Sequence, residues 1–265
     1  MRIRVEALAL AAALAVLAGG GAAAQAGRAA QAGLAFEDAA RLYGAVFVEA
    51  RRRADYLVAR LTEAGISLRR DEASEAAAVA FPELLRYASL RDRLETAALE
   101  TLYVRNGRGD FSIGPLQMKP SFAQRVEEWS SRLPQAAAIL SDAASLGDTA
   151  SHNASSTVAS STVAAVPEAE SDRRARIGRL KSMGGQAPYL AAFYLVAMAR
   201  FPELATSAAR DRVAFLAAAY NAGFHKERER IEAAMALTIF PPPPGWPDPL
   251  SYVELSVGYY ESLNP

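Results

Sequence analysis

Between Phe36 and Glu63, apolar side chains return every three or four residues: Ala39, Leu42, Tyr43, Val46, Phe47, Ala50, Ala54, Leu57, Val58 and Leu61. That period gathers them on one stripe of an α-helix, whereas a strand would scatter them over both faces. The segment is therefore a long amphipathic helix, stopped by Gly65, a normal C-terminal signal. The same reasoning opens a second helix at Pro82 and carries it toward the turn signal Asn106-Gly107, with Leu84, Leu85, Ala88, Leu94, Ala98 and Leu102 on its buried face. Further helices are expected at Pro120 to Ser130, Gln135 to Ala144, Asp172 to Met183, Pro188 to Arg200, Ala208 to Ala219 and His225 to Leu237. Pro241 to Pro244 breaks the chain in an extended conformation, and Pro249 to Leu263 forms a last, aromatic-rich helix. The fold class is mainly α, with one small β-hairpin near residues 103 to 113 and no internal repeat.

Four regions divide the chain. Residues 1–24 read as a secretory signal: Arg2 and Arg4 supply a basic start, Ala7 to Ala18 an apolar run too short to span a bilayer, and Ala22-Ala23-Ala24 a cleavage site before Gln25. The expected location is therefore exported and periplasmic. Residues 25–79 form an N-terminal helical region, 80–240 the main domain, and 241–265 a Pro-rich segment with a C-terminal helix. Within the main domain, Ser145 to Ala169 shifts to Ser, Thr, Ala and Gly without any apolar period, as a flexible surface insertion does.

Charge and composition exclude several chemistries. The chain has 29 basic and 29 acidic residues, and loss of Arg2, Arg4 and Glu6 with the signal leaves one excess acid, so nothing points to nucleic acid. There is no cysteine, so an exported fold must hold by packing alone. Histidine occurs only at His152 and His225, which makes a zinc site of the usual kind untenable. Any chemistry falls to carboxylates, hydroxyls and amides.

Two short motifs stand out. Gly109 to Ala123, "GDFSIGPLQMKPSFA", pins Gln117 between Gly114 and Pro120; "FLAAAYNAGF", Phe215 to Phe224, is an apolar helix ending in Tyr220-Asn221-Ala222-Gly223. Pro120 suits the first turn of the following helix, and Gly223 suits a C-cap. In order and approximate distance the pair resembles the goose-type lysozyme and lytic transglycosylase group of the lysozyme-like superfamily. There, a catalytic Glu near a helix end precedes Gly-x-x-Gln-x-x-Pro, and a later Ala-Ala-Tyr-Asn-Ala-Gly closes the cleft. "PYLAAFYLVAMARFPE", Pro188 to Glu203, is similar to the family's Tyr-Leu helix. The likeness covers roughly residues 80 to 225.

The resemblance implies a lysozyme-like helical domain that cleaves the MurNAc-GlcNAc bond of peptidoglycan. The alternative is a glycan-binding scaffold of the same fold that has lost its acid. It implies the glycan strand as partner, no nucleic acid, no metal and no cofactor. Ser112, Gly114, Gln117, Met118, Tyr189, Tyr220, Asn221 and Gly223 become candidate substrate-binding residues: Gly114 by allowing close backbone approach to a sugar, Gln117 by its amide. The acid is one of two residues. Glu95 lies 22 residues before Gln117, near the lysozyme spacing; Glu100 lies 17 before it, near the transglycosylase spacing. Each is followed by Thr, and the family's Ser-x-Phe-Asn-Pro is absent. Asp110 is a possible second carboxylate, and equally a turn residue after Gly109.

Overall fold

The computed structural model describes residues 36–89, 103–105, 107, 110–147, 168–236, 240 and 250–264. Among these residues the molecule is mainly helical. Residues 36–43 form α1, and Gly44, at φ 48°, turns the chain into α2, Ala45–Thr62. Then follow α3 (Arg70–Ser89), a helical turn α4 (residues 103–105), α5 (Pro120–Ser130), α6 (Pro134–Gly147), α7 (Glu170–Leu180) and α8 (Met183–Arg200). A 3-10 turn, Pro202–Thr206, leads into α9 (Ala209–Ala222), α10 (Arg228–Met235) and α11 (Tyr252–Leu263).

Three helices are buried nearly all round and form the centre: α3 from Ala76 to Leu85, α8 from Gln186 to Tyr194, and α9 from Val213 to Tyr220. A helix apolar on every side must lie inside others. The amphipathic α2 lays Phe47, Ala50, Ala54, Leu57 and Leu61 against α3. On its other side α11 packs on both α3 and α9, where Tyr259 stacks on Phe81 at 4.6 Å between ring centroids and its hydroxyl donates to Asp55 at 2.9 Å. One continuous core therefore runs from Ala39 on α1 to Tyr259 on α11.

Two prolines correct the expected boundaries. Pro82 and Pro188 sit inside α3 and α8, not at their first turns. Each lies in a stretch so fully buried that packing outweighs the lost backbone hydrogen bond. The start of α8 is set instead by Ser182, whose hydroxyl accepts from Gly185 N at 3.1 Å as an N-cap. In place of a hairpin near 103 to 113, residues 103–105 are helical and one antiparallel bridge joins Ile113 to Met118.

The expected insertion is also anchored at its edges. Helix α6 continues to Gly147, and the Glu168 carbonyl and carboxylate accept from Arg173 and Arg176. Residues 148–167, the signal segment and the Pro-rich run 241–244 lie outside the described residues. No described helix is long and apolar enough to cross a membrane.

Candidate active site

The opening motif folds into a tight loop. Ile113 and Met118 exchange backbone hydrogen bonds at 2.9 and 3.1 Å, and the turn between them closes through Gln117 N to Gly114 O at 3.0 Å. Both turn ends are left-handed: Gly114 at φ 64° and Gln117 at φ 48°. For Gln117 that conformation costs about 1 kcal/mol or more, so the surroundings must impose it.

The clamp is Gln186, fully buried on α8. Its Oε1 accepts from Leu116 N at 2.7 Å and its Nε2 donates to Ile113 O at 2.6 Å. From α9, the Tyr220 hydroxyl donates to Leu116 O at 2.9 Å. The ring of Tyr220 is itself wedged by Phe122 and Phe193, at 4.9 and 5.4 Å between centroids. The two motifs are thus joined directly.

Gly114 has another duty than the one expected. A Cβ there would lie 2.2 Å from the Leu180 carbonyl oxygen and 3.0 Å from Gln186 Nε2, so the glycine is required by the protein's own packing. Tyr189 is corrected as well. It is absent from the cleft walls; its hydroxyl donates to Glu127 and accepts from Arg179 Nε at 2.9 Å, inside an ion-pair cluster with Arg176.

Over this loop lies a cleft of about 290 Å³. Asp110, Ser112, Gln117, Met118, Tyr220, Asn221 and Gly223 all line it, so most of the expected site residues meet at one place. Gln117 Nε2 donates to Gly114 O at 2.9 Å, which directs one end of the amide into the loop and leaves its oxygen as an acceptor. Asp110 is half exposed; its Oδ1 accepts from Ser121 N at 3.3 Å and its Oδ2 lies 3.9 Å from Lys119 Nζ. It anchors the first turn of α5.

Glu95 and Glu100 lie outside the described residues. The cleft instead holds a carboxylate that the sequence reading passed over: Glu83, one residue after Pro82 in the last turns of α3. Its side chain is 6 % exposed, and Arg86 Nη1 stands 3.3 Å from Oε2 without the geometry of a hydrogen bond. Burial pushes its pKa up to about 7, against the opposing pull of Arg86, Tyr252 and Lys119. Burial also raises the Tyr220 and Tyr252 hydroxyls well above the usual range, reinforced by the nearby Glu83 charge. Tyr252 arrives from α11, where its hydroxyl donates to Val79 O at 3.1 Å. The tail helix therefore helps to wall the acid.

A signal for Glu83 was present in the sequence. It is the single charge in "AAAVAFPELL", residues 76–85, a run that must be buried on every side. Placing Pro82 at a helix start disguised it as an ordinary first-turn acid.

A half-protonated carboxyl beside an amide acceptor and a fixed tyrosine can donate a proton to a leaving oxygen near neutral pH. Among the described residues no group of His, Asp and Glu side chains could hold a metal ion. Compared with family models, curated proteins and solved structures, the chain matches none.

Proposed function

We propose that this helical domain is lysozyme-like and that the chain is an exported peptidoglycan-cleaving enzyme, of the lytic transglycosylase or lysozyme type, with Glu83 as its single general acid. The observation that carries the reading is Glu83: a buried carboxyl with a pKa of about 7, in the cleft that gathers Gln117, Tyr220 and Asn221.

In this reading the protonated Glu83 donates to the glycosidic oxygen between MurNAc and GlcNAc as the C–O bond breaks, and positive charge develops on the MurNAc ring. The substrate's own acetamido oxygen stabilises that charge, because Asp110 is committed to Ser121 and Lys119 at the cleft's rim. The Glu83 carboxylate then takes the proton of the sugar 6-hydroxyl as its oxygen closes on the anomeric carbon, leaving a 1,6-anhydro end without water. Gln117 Oε1 accepts from a sugar N–H or hydroxyl, and Tyr220 holds the loop that presents it.

The test is incubation of the mature protein with purified peptidoglycan and mass analysis of the released muropeptides. Glu83→Gln should lower the release rate roughly a hundredfold or more, the ordinary scale for losing a positioned acid. Glu95→Gln and Glu100→Gln should leave it nearly intact. Anhydro products support the single-acid route, and reducing ends support hydrolysis. Full activity in Glu83→Gln would remove Glu83 from the chemistry, and glycan binding without release would favour the scaffold reading.

A further inference from the structure

The cleft is more basic than an acid catalyst needs. Arg86, Lys119, Arg125 and His225 line it together with Glu83. Arg86 and Lys119 both favour the ionised form of Glu83, the form that cannot donate.

Within this lining Glu83 lies beside Arg86 and Asp110 beside Lys119, whereas the neighbour of Arg125 is a base. This residue sits on α5 four positions after Ser121, about 6 Å further along the helix axis at 1.5 Å per residue. Among the described residues no carboxylate lies within ion-pair distance of it, although Arg176, Arg179 and Arg212 each meet a glutamate. Its neighbour is another base: Nη1 is 2.7 Å from Nδ1 and 2.6 Å from Nε2 of His225.

More positive charge stands behind that ring. Arg200 Nη2 donates to the backbone carbonyls of His225 and Lys226 at 3.3 and 3.2 Å, and its guanidinium lies 4.8 Å over Trp129. Among the described residues Arg200 has an ion-pair contact with Glu227, at 3.8 Å, whose side chain is 80 % exposed. The imidazole is held in place by close backbone: a Cβ on Gly223 would lie 2.7 Å from His225 Cε1.

Resting on the peptidoglycan reading above, we infer that the Arg125–His225 end of the cleft is a carboxylate-binding subsite, which takes an acid group carried by the glycan. A guanidinium fork matches a carboxylate with two parallel hydrogen bonds, and the imidazole beside it, whose protonated form burial and the Arg125 charge disfavour, carries one N–H donor when neutral. In the glycan this chemistry has two sources, the lactyl carboxyl of a peptide-free MurNAc and the carboxyls of a peptide stem.

The experiment measures binding by calorimetry to the full-length Glu83→Gln protein. The three probes are the GlcNAc-MurNAc disaccharide with its free lactyl carboxyl, the same disaccharide carrying a peptide stem, and neutral chitobiose. A carboxylated probe should bind at least about tenfold more tightly than chitobiose, as a charge-assisted pair allows. Arg125→Gln should collapse that ratio about tenfold, and Arg125→Lys, which keeps charge without the fork, should retain part of it. If Arg125→Gln lowers the melting temperature, Arg125→Lys carries the comparison. Preference for the peptide-free disaccharide assigns the lactyl group; preference confined to the peptide-bearing one assigns the stem. Equal affinities for carboxylated and neutral probes, or a ratio unchanged in Arg125→Gln, would overturn the subsite while leaving peptidoglycan cleavage intact. Failure of every probe to bind, together with no release from peptidoglycan, would sink both.

Discussion

Glu75 and Glu83 lie two turns apart on α3, and both are buried, yet their surroundings differ completely. Glu75 receives Arg212 Nε at 2.7 Å on Oε2, Arg212 Nη2 on Oε1 and the Tyr194 hydroxyl at 2.8 Å. Glu83 has Arg86 at 3.3 Å out of hydrogen-bond alignment, and its Oε2 has no hydrogen-bond partner. Full pairing makes a buried charge a structural joint; incomplete pairing leaves a group that prefers its proton. One helix thus carries a brace and, eight residues on, a reactive acid.

The comparison breaks most visibly at the brace. Glu75→Leu strands the largely buried Arg212 without its partner and should cost about 3–5 kcal/mol of stability, read by denaturant unfolding. A cost below 1 kcal/mol would mean that the pairing is dispensable. Next comes the loop clamp. Gln186→Leu leaves Leu116 N buried without a partner and Ile113 O with only its bond from Met118 N, and should cost about 1–3 kcal/mol, with glycan release falling as Gln117 loses its support.

Glu83→Gln should have the opposite sign. The folded pKa, about 7, is above the ordinary 4.5, so the folded state holds its proton more tightly than the unfolded chain does. That contribution to stability is complete below pH 4.5 and is lost as pH rises through about 7. Glutamine never ionises, so at pH 8 the variant should exceed the wild type by about 1–3 kcal/mol, and at pH 4 the two should agree. Equal stability at pH 8 would place Glu83 with the paired acids. The smallest effect is expected from Asp110→Asn, where a half-exposed pair at a helix start is worth less than about 1 kcal/mol and most of the activity should remain.

The same contrast separates what the sequence could tell from what it could not. The stripe from Ala39 to Leu61 was legible because period alone decides which face is buried, and α5 begins at Pro120 and ends at Ser130 as expected. The junction of the Gln117 loop with Tyr220 lies beyond any local period, since the Tyr220 hydroxyl meets the Leu116 carbonyl across a separation of 104 positions. Pro82 misled because its usual place is a first helical turn, and only the packing of α2 and α11 on α3 overrides that preference. Gln186 escaped notice for a related reason: an amide inside an apolar helix declares its role only when the loop it clamps is in view. Tyr189 was assigned to the glycan on its motif alone, and the Glu127 cluster that claims its hydroxyl comes from α5 and α7.

The acid role of Glu83 rests on one property of its carboxyl, which can be measured without any substrate. Carbon-13 NMR of the side-chain carboxyls, with Glu83→Gln to assign the resonance, gives the Glu83 titration curve in the intact protein. A midpoint near pH 7 is expected from its burial without a full set of partners. A midpoint in the ordinary range of an exposed glutamate, about 4.3, would contradict the assignment of Glu83 as the acid.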